Sequence, residues 1–265
     1  IGYTTIAFSL ISCSNDEPAS DSAIEPSIET VFPKGLPASV DGATFTVNEK
    51  GQVTKIVDGS DEITFEYGSF SRTTAFNALM KIRDIDDPSY GSDIYMQLNT
   101  QGFVTYALQV YLDAEDEEDT WKFEYNPEGQ LIRLQRSEGS DDFKITYTDG
   151  SITNVIQDQE DGDHWEYTIA YTNTEHPTVI PNKGCIMMFD DFFHIDMDEM
   201  GVAYYAGLLG KSSANLPVGY VKSGKEGDSY YTSSQNYHWE FNTDKMPVRF
   251  WSGDDQWDAI SFAWK

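Results

Sequence analysis

The chain has 265 residues, of which 39% are hydrophobic and 14% aromatic, and its 45 acidic and 17 basic side chains give a formal net charge of −28. This many aromatic residues supply the apolar surface that offsets the entropy of ordering, so the composition excludes a wholly disordered chain. The negative charge repels phosphate groups, which excludes nucleic-acid binding and charge-driven adsorption to anionic lipid. The length permits one large or two small domains.

The N-terminal residues carry an export signature. Residues 1–12 form an apolar run that is too short to span a bilayer, which takes about 20 residues, but has the length of a signal-peptide core. The run ends in Leu10-Ile11-Ser12-Cys13, which resembles the lipobox of bacterial lipoproteins, where the cysteine becomes the acylated N-terminus. The next four residues, Ser14-Asn15-Asp16-Glu17, resemble the acidic signal of Bacteroidetes surface lipoproteins. The alternative interpretation is a buried strand followed by a polar loop.

These features predict three segments. Residues 1–13 are a lipoprotein signal peptide, residues 14–40 a tether, and residues 41–265 a single β domain. The tether is rich in Pro, Ser and acidic residues, a composition typical of extended, weakly ordered chain. Acylation of Cys13 makes outer-membrane lipid the expected partner and the cell surface the expected location. The other cysteine, Cys185, lies among apolar residues and is interpreted as a small buried hydrophobe.

A repeated hairpin pattern predicts the fold. Alternating apolar residues are followed by Asn and, three positions later, Gly, in the copies 45–53, 96–104 and 123–131. Asn126, Pro127 and Gly129 suit a type I turn closed by a glycine bulge, and Asp149-Gly150 suits a two-residue type I′ turn. Acidic turns lie between the copies. Asn/Gly turns and acidic turns therefore alternate, as the two ends of an antiparallel meander do.

The alternation predicts about a dozen strands, so the class is all-β. The predicted strands are 43–48, 52–57, 62–67, 94–99, 103–110, 120–126, 130–136, 143–148, 151–157, 164–172, 229–242, 247–252 and 257–264. Strand twist accumulates over so many strands, which predicts a strongly curved antiparallel sheet that forms an open sheet or partial barrel. Helices are predicted at 74–83 and 198–209, and the second is apolar on nearly all sides, so we expect it to plug the concave side.

Two resemblances accompany these patterns. The sequence from Tyr125 to Leu131 is similar to the tyrosine–aspartate repeats of Rhs-type shells. The lipobox, the Pro-rich tether, the repeated hairpins and the segment from Leu208 to Pro217 together resemble a family of Bacteroidetes surface lipoproteins with a porin-like curved sheet, a domain of unknown function. The likeness covers about residues 41–265. It implies a fold and a location, and it supplies no catalytic residue.

Two acidic clusters are candidate metal sites. Asp158, Glu160, Asp161 and Asp163 crowd oxygen ligands into six residues, which predicts weak calcium binding and no other cofactor. The favoured alternative is a solvated turn that keeps the sheet soluble. In the second cluster, His194, Asp196 and Asp198 would share a face if extended and would bind a metal together with Asp190 or Asp191. The alternative there is a polar rim around the plug.

The C-terminal tryptophans are the candidate ligand-binding residues. Exposed rings at Trp239, Trp251 and Trp257 would stack on a glycan or anchor a protein partner. Aromatic residues at strand spacing more often belong to the core.

The sequence contains neither a Gly-x-Ser-x-Gly elbow nor a Cys/His dyad signature. We therefore expect a surface-exposed, lipid-anchored binding or interaction module for a glycan or a protein. The first alternative is a glycan-active hydrolase that uses carboxylates in the concave face, and the second is a structural coat protein. A carboxylate pair beside an exposed Trp would favour the hydrolase, an exposed aromatic strip the binding module, and a filled concavity the coat protein.

Overall fold

The computed structural model describes residues 26–70, 76–112, 117–254 and 256–265. Sixteen antiparallel strands of the described chain close into one barrel, and two more form a small separate sheet. The strands are β1 (Ser39–Val40), β2 (Ala43–Val47), β3 (Val53–Asp58), β4 (Asp61–Tyr67), β5 (Ala78–Asp84), β6 (Gly91–Leu98), β7 (Val104–Tyr111), β8 (Glu118–Tyr125), β9 (Leu131–Arg136), β10 (Asp142–Thr148), β11 (Ser151–Asp158), β12 (His164–Ala170), β13 (Ile180–Pro181), β14 (Asn215–Leu216), β15 (Gly219–Glu226), β16 (Ser229–Phe241), β17 (Pro247–Ser252) and β18 (Ile260–Ala263). The helices are α1 (Ile28–Val31), α2 (Phe189–Phe193) and the 3₁₀ helices Glu138–Ser140 and Asp198–Tyr204.

The all-β antiparallel class is confirmed, and the sheet is a closed barrel instead of an open or partial one. Strands β1 to β12 pair in sequence order, β12 pairs with β15, and β18 pairs with β1. The closing strand β1 is only two residues long: Ser39 and Val40 pair with Ala263 and Phe262 of β18 and also with β2. This closure depends on a short strand inside a Pro-rich segment, which has no strand pattern in the sequence.

The predicted tether is too long at its C-terminal end. Val31, Phe32 and Leu36 are buried in the core although Pro33 and Pro37 give their segment the composition of a linker. Apolar packing therefore extends the folded domain to Pro26, ahead of the predicted boundary at residue 41.

The predicted turns are present. Gly129 has a φ of +86° and donates its N–H to the Asn126 carbonyl at 3.0 Å, while the Asn126 side chain accepts from Gln130 N at 2.8 Å. A bulge follows in the β8–β9 ladder. Asp149 and Gly150 both have positive φ, at 51° and 78°, as a type I′ turn requires.

Besides the two-residue strands β1, β13 and β14, two longer strands differ from the predictions. The predicted helix at 74–83 is wrong in its described part, where β5 alternates buried Ala78 and Met80 with the partly exposed Lys81 and Arg83. Apolar residues stand on both faces of this strand, which produced an apparent helical spacing. Strand β15 was not predicted because its sequence GYVKSGKE lacks an apolar alternation. Its backbone is held in the extended conformation by pairing with β12 on one side and β16 on the other.

The long connection between β12 and β15 fills the barrel. We call residues 184–212 the plug. Its side chains are almost wholly inaccessible to solvent at Phe192, Phe193, Met200, Tyr204 and Leu208. The predicted plugging helix over 198–209 is confirmed in position, but it is a 3₁₀ helix over Asp198–Tyr204 that continues as turns. Porins with a similar number of strands enclose a water channel, whereas here the plug occupies that space.

The barrel has two chemically different ends. The Asn/Gly end is formed by the turns at 48–51, 99–102, 126–129, 148–151 and 242–245. The acidic end is formed by the turns at 58–61, 84–91, 137–142, 158–163 and 226–229, and by residues 252–254 and 256–259. The described chain enters at the Asn/Gly end, where Pro26 lies against Gly102 and Ile28 against Gly207.

The outer wall carries ion pairs between neighbouring strands. Acidic and basic side chains both point away from the core on β3–β6 and β8–β12. Five of the resulting pairs have nitrogen–oxygen distances of 2.5–3.1 Å. The pairs are Lys55–Glu62, Lys81–Glu66, Arg83–Asp93, Arg133–Asp142 and Lys144–Asp158. No helix of the described chain has the length and apolar character needed to cross a membrane.

Candidate functional site

A cavity of about 420 Å³ opens at the acidic end, between strands β1–β3 and the plug. This volume lies in the range of small-ligand sites. The inner part of the cavity is apolar and includes Phe45, Ile56, Met187, Met197, Val202 and Tyr205. Six aspartates line it as well: Asp41, Asp58, Asp190, Asp191, Asp196 and Asp198.

Short local structures hold the aspartates at this end. Asp41 stands in the tight turn between β1 and β2, where its φ is 47°, and Asp58 is the last residue of β3. Asp190 and Asp191 lie in the first turn of α2, which ends at His194 in the left-handed conformation. The His194 N–H donates to the Asp190 carbonyl at 2.8 Å. Two of the six aspartates, Asp41 and Asp58, therefore come from the wall, and the other four come from the plug.

Asp58, Asp190 and Asp191 resist ionisation. Burial raises the pKa of Asp190 above its ordinary value, and burial followed by repulsion from Asp190 and Asp41 raises the pKa of Asp191. Burial also raises the pKa of Asp58, with further contributions from Asp41 and Asp61. Asp41 on the wall and Asp191 on the plug line the same cavity, and the charge of Asp41 contributes to the raised pKa of Asp191.

Arg136 is the basic residue next to the mouth, and other carboxylates already surround it. It donates through Nε to Asp119 at 2.7 Å and through Nη2 to Asp198 at 2.7 Å, and it also pairs with Glu138 and, at 3.6 Å, with Asp196. Its guanidinium lies 4.5 Å from the centre of the Trp121 ring. Burial alone would raise the pKa of Asp119, but hydrogen bonds from Ser137 and Arg136 outweigh it and lower that pKa.

His194 points away from the cavity. Its ring lies 4.6 Å from Tyr167 and 4.2 Å from Tyr220, measured between ring centres. Burial, together with the charge of Lys222, lowers the pKa of His194 to about 4, so the ring is neutral at pH 7. The proposed metal set of His194 with Asp196 and Asp198 is therefore not assembled, whereas the four plug aspartates do form a polar rim.

The three predicted tryptophans lie in three different environments. Trp239 is a core residue that donates to the Pro217 carbonyl at 2.7 Å. Trp251 is buried against the His238 ring, with 5.2 Å between ring centres. Trp257 is 94% exposed, in a shallow surface depression with Arg249 and Asp254 at the acidic end. Of the three, Trp257 is the one that is mostly exposed, and it does not line the cavity.

The predicted calcium residues are engaged by different partners. Asp158 binds Lys144 at 2.7 Å and His164 at 2.6 Å. Glu160 accepts from Ser140 Oγ at 2.8 Å, and Asp163 accepts from Gly227 N at 2.8 Å. In the described part of the chain, no three His, Cys, Asp or Glu side chains are grouped to hold a metal ion. Weak calcium binding stays a prediction.

The two cysteines have separate outcomes. Cys13 lies outside the described residues, so its acylation stays a prediction. Cys185 is half-buried, and burial raises the pKa of its thiol, which opposes formation of a thiolate nucleophile.

Sequence reasoning did not find the cavity itself. Asp190, Asp191, Asp196 and Asp198 are predicted from the sequence as a metal set or a polar rim. Asp58 belongs only to a predicted acidic turn, and Asp41 is only the first residue of the predicted β domain. The signal available in the sequence was the position of Asp58 in one of the acidic turns.

The fold and this site define a class: a plugged antiparallel β-barrel with a porin-like architecture and a ligand-sized cavity at one end. The chain belongs to the family described as domain of unknown function (DUF4595) with porin-like fold, which matches residues 45–249.

Two solved structures have a similar fold. A porin-like protein from Bacteroides uniformis ATCC 8492 is 16% identical, with a TM-score of 0.59 over 84% of this chain and 90% of that chain. A porin-like protein from Bacteroides vulgatus ATCC 8482 is 11% identical, with a TM-score of 0.53 over 87% of this chain and 99% of that chain. No curated protein matches the chain.

Proposed function

We propose that this protein is a lipid-anchored binding module on the outer-membrane surface, which presents the acidic end of its barrel to a glycan or protein ligand. The observation that carries the proposal is the opposite placement of two features. The described chain enters the barrel at the Asn/Gly end, and the cavity opens at the acidic end. An anchor at Cys13 therefore leaves the cavity facing away from the membrane.

The charged outer wall supports a barrel that stands in water. A Lys or Arg on the lipid-facing side of a membrane barrel costs about 2–4 kcal/mol at the midplane. The wall here carries Lys55, Lys81, Arg83, Arg133 and Lys144, each paired with a carboxylate that would also lose its hydration. Immersion in lipid would therefore be strongly unfavourable, and attachment through an acylated cysteine avoids it.

The filled interior favours binding over transport. Phe192, Met200, Tyr204 and Leu208 of the plug have no more than 1% exposure, so a solute has no wide path along the barrel axis. Exposed aromatic rings at the acidic end add contact surface: Tyr90 is 56% exposed, Tyr230 82% and Trp257 94%. Such rings stack on sugars and anchor protein interfaces.

The anchor and the orientation are tested together in cells. The full chain, with its own export signal, is produced in a Bacteroidetes host that is fed a clickable fatty acid. We expect acyl labelling and antibody staining of intact cells, and we expect Cys13→Ala to lose the label and release the protein from the membrane fraction. An unlabelled protein, or one stained only after lysis, would contradict the proposal.

Channel activity is tested separately in planar bilayers. The purified full chain is expected to give no stepwise conductance, because the plug fills the barrel and the wall is charged. Regular single-channel steps would contradict the binding-module proposal and favour a pore.

A glycan hydrolase is the second candidate function. It is favoured by carboxyls of raised pKa, Asp58, Asp190 and Asp191, in a cavity of ligand size, because a general acid needs such a pKa. Among the residues that the structure describes, no tryptophan lines the cavity, which departs from the arrangement expected for the hydrolase. Release of reducing sugar from a panel of polysaccharides, lost in both Asp190→Asn and Asp191→Asn, would establish this activity. If neither ligand binding nor hydrolysis is detected, the remaining interpretation is a structural coat protein without a ligand.

A further inference from the structure

The cavity at the acidic end combines an excess of negative charge with an apolar interior. In the described part of the chain, no Lys or Arg lines it, and Asp41, Asp58, Asp190 and Asp191 form no ion pair. Arg136 reaches the edge of the mouth only at Asp196 and Asp198, and it is shared with Asp119 and Glu138. The mouth therefore has carboxylates that no cation of the described chain neutralises.

The interior of the same cavity suits a hydrocarbon chain. Ile56, Met187 and Met197 are at most 2% exposed, and Tyr205 is 8% exposed, so the deeper wall is apolar and closed by packed side chains. Methionine side chains adapt to ligands of different shape because they are unbranched and flexible. A small hydrated metal ion would make no use of this apolar surface, whereas an alkyl stem would.

We infer that this cavity binds an organic cation, an ammonium or guanidinium group carried on an apolar stem, with the charge held between the wall aspartates Asp41 and Asp58 and the plug aspartates Asp190 and Asp191. The stem then occupies the space between Phe45, Ile56 and Met197. This inference rests on the proposed function, whose ligand class it names. The same chemistry is offered by a free alkylamine and by a lysine or arginine side chain of a polypeptide.

Calorimetric titration of the full chain in detergent tests the class of ligand. The probes are hexylammonium, the neutral hexanol, the anionic hexanoate and the stemless methylammonium. We expect saturable binding of hexylammonium, with hexanol and methylammonium each at least about tenfold weaker and hexanoate silent, since one charge-assisted contact contributes about that factor. Equal binding of hexanol and hexylammonium would overturn the inference, and so would no binding of any probe.

Variants locate the site. Asp190→Asn and Asp191→Asn are each expected to weaken hexylammonium binding about tenfold. Val202→Phe narrows the apolar part and is expected to abolish binding of the stem. The matched control is Asp244→Asn, which removes the same charge from a turn at the Asn/Gly end. An equal loss in Asp244→Asn and Asp190→Asn would assign the effect to net charge and overturn the site.

The source of the cation is distinguished with peptides. Binding of a short apolar peptide with one lysine is compared with binding of its acetyl-lysine form, which shows whether the charged side chain of a polypeptide enters the cavity. If the peptide and hexylammonium use one site, free hexylammonium displaces the peptide. Binding by hexylammonium without peptide binding assigns the site to small amines. If every cationic probe fails but a glycan or protein still binds the acidic end, this inference fails while the proposed function stands.

Discussion

Arg136 on the barrel wall donates to Asp198 on the plug at 2.7 Å, and the same guanidinium holds the buried Asp119 of β8 at 2.7 Å. One side chain thus joins two wall strands to the insertion that fills the barrel. The Arg136 side chain is 6% exposed and that of Asp119 is 2% exposed, so this contact lies in a region of low dielectric constant.

Removing Arg136 is expected to destabilise the fold strongly. Arg136→Met leaves Asp119 buried without its cation, which costs about 3–5 kcal/mol in the free energy of unfolding. Denaturant unfolding measures the change. The double variant Arg136→Met with Asp119→Leu removes both charges and is expected to recover most of the loss. Equal destabilisation by the single and double variants would contradict this account.

The aspartates at the cavity mouth predict a dependence of stability on pH. Because burial raises the folded-state pKa of Asp190 and Asp191 above the unfolded value, the folded chain holds more protons in the interval between the two values. The contribution of these two aspartates to stability therefore rises as the pH falls from neutral toward about 4. The buried His194, whose pKa is lowered to about 4, contributes in the opposite direction over the same range, so the aspartate contribution is read from a matched variant. Below that value, the lowered pKa of Asp119 acts in the opposite direction. Thermal melts between pH 7 and pH 4.5 measure the effect.

The matched variant for the pH prediction is Asp190→Asn with Asp191→Asn. It is expected to raise the melting temperature at pH 7, and its advantage over the parent chain is expected to shrink as the pH falls. An unchanged pH profile in this variant would show that other carboxyls cause the dependence.

Gly210 is predicted to be intolerant of a side chain. Its φ is +83°, and an added Cβ would lie 2.6 Å from the Gly129 carbonyl and 2.8 Å from the Tyr125 ring. Gly210→Ala is expected to cost about 2 kcal/mol or more. Gly162→Ala is the control, because Gly162 also has a positive φ, +94°, but has no atom within 4 Å of the added Cβ. Its cost is expected to be about 1 kcal/mol. Denaturant unfolding compares the two, and equal losses would contradict a steric cause.

The tryptophans predict opposite effects on stability and binding. Trp239→Ala empties a core position and is expected to cost about 3–5 kcal/mol. Trp257→Ala at the exposed site is expected to cost less than about 1 kcal/mol and to weaken glycan or protein binding at the acidic end. Melting curves and glycan arrays on both variants check this. Retained binding in Trp257→Ala would remove this residue from the binding face.

The sequence predicts the hairpins well because their determinants are local. Asn126 and Gly129 set a turn through their own backbone preferences, and flanking residues alternate at period two. Strand β5 was mistaken for a helix because Leu79 adds an apolar residue to its outer face. Strand β15 has almost no local pattern, and its order comes from the two neighbouring strands.

Closure and the cavity depend on contacts between distant parts of the chain. Nothing near Ser39 and Val40 indicates that they pair with the C-terminal strand, and nothing in the turn at Asp41 indicates that it lines one cavity with Asp191. The plug aspartates were recognisable as a polar rim, but the other aspartates of the mouth, Asp41 and Asp58, belong to the barrel wall. Local propensity carries no information of that kind.

The two-residue strand β1 gives the barrel a mechanical seam. It follows the N-terminal segment directly and joins β18 through only two residue pairs, Ser39 with Ala263 and Val40 with Phe262. Tension applied through the N-terminus meets this short ladder before any longer one. Once Val31, Phe32 and Leu36 are drawn out of the core, the load falls on this seam, so the wall parts there before any longer ladder is strained.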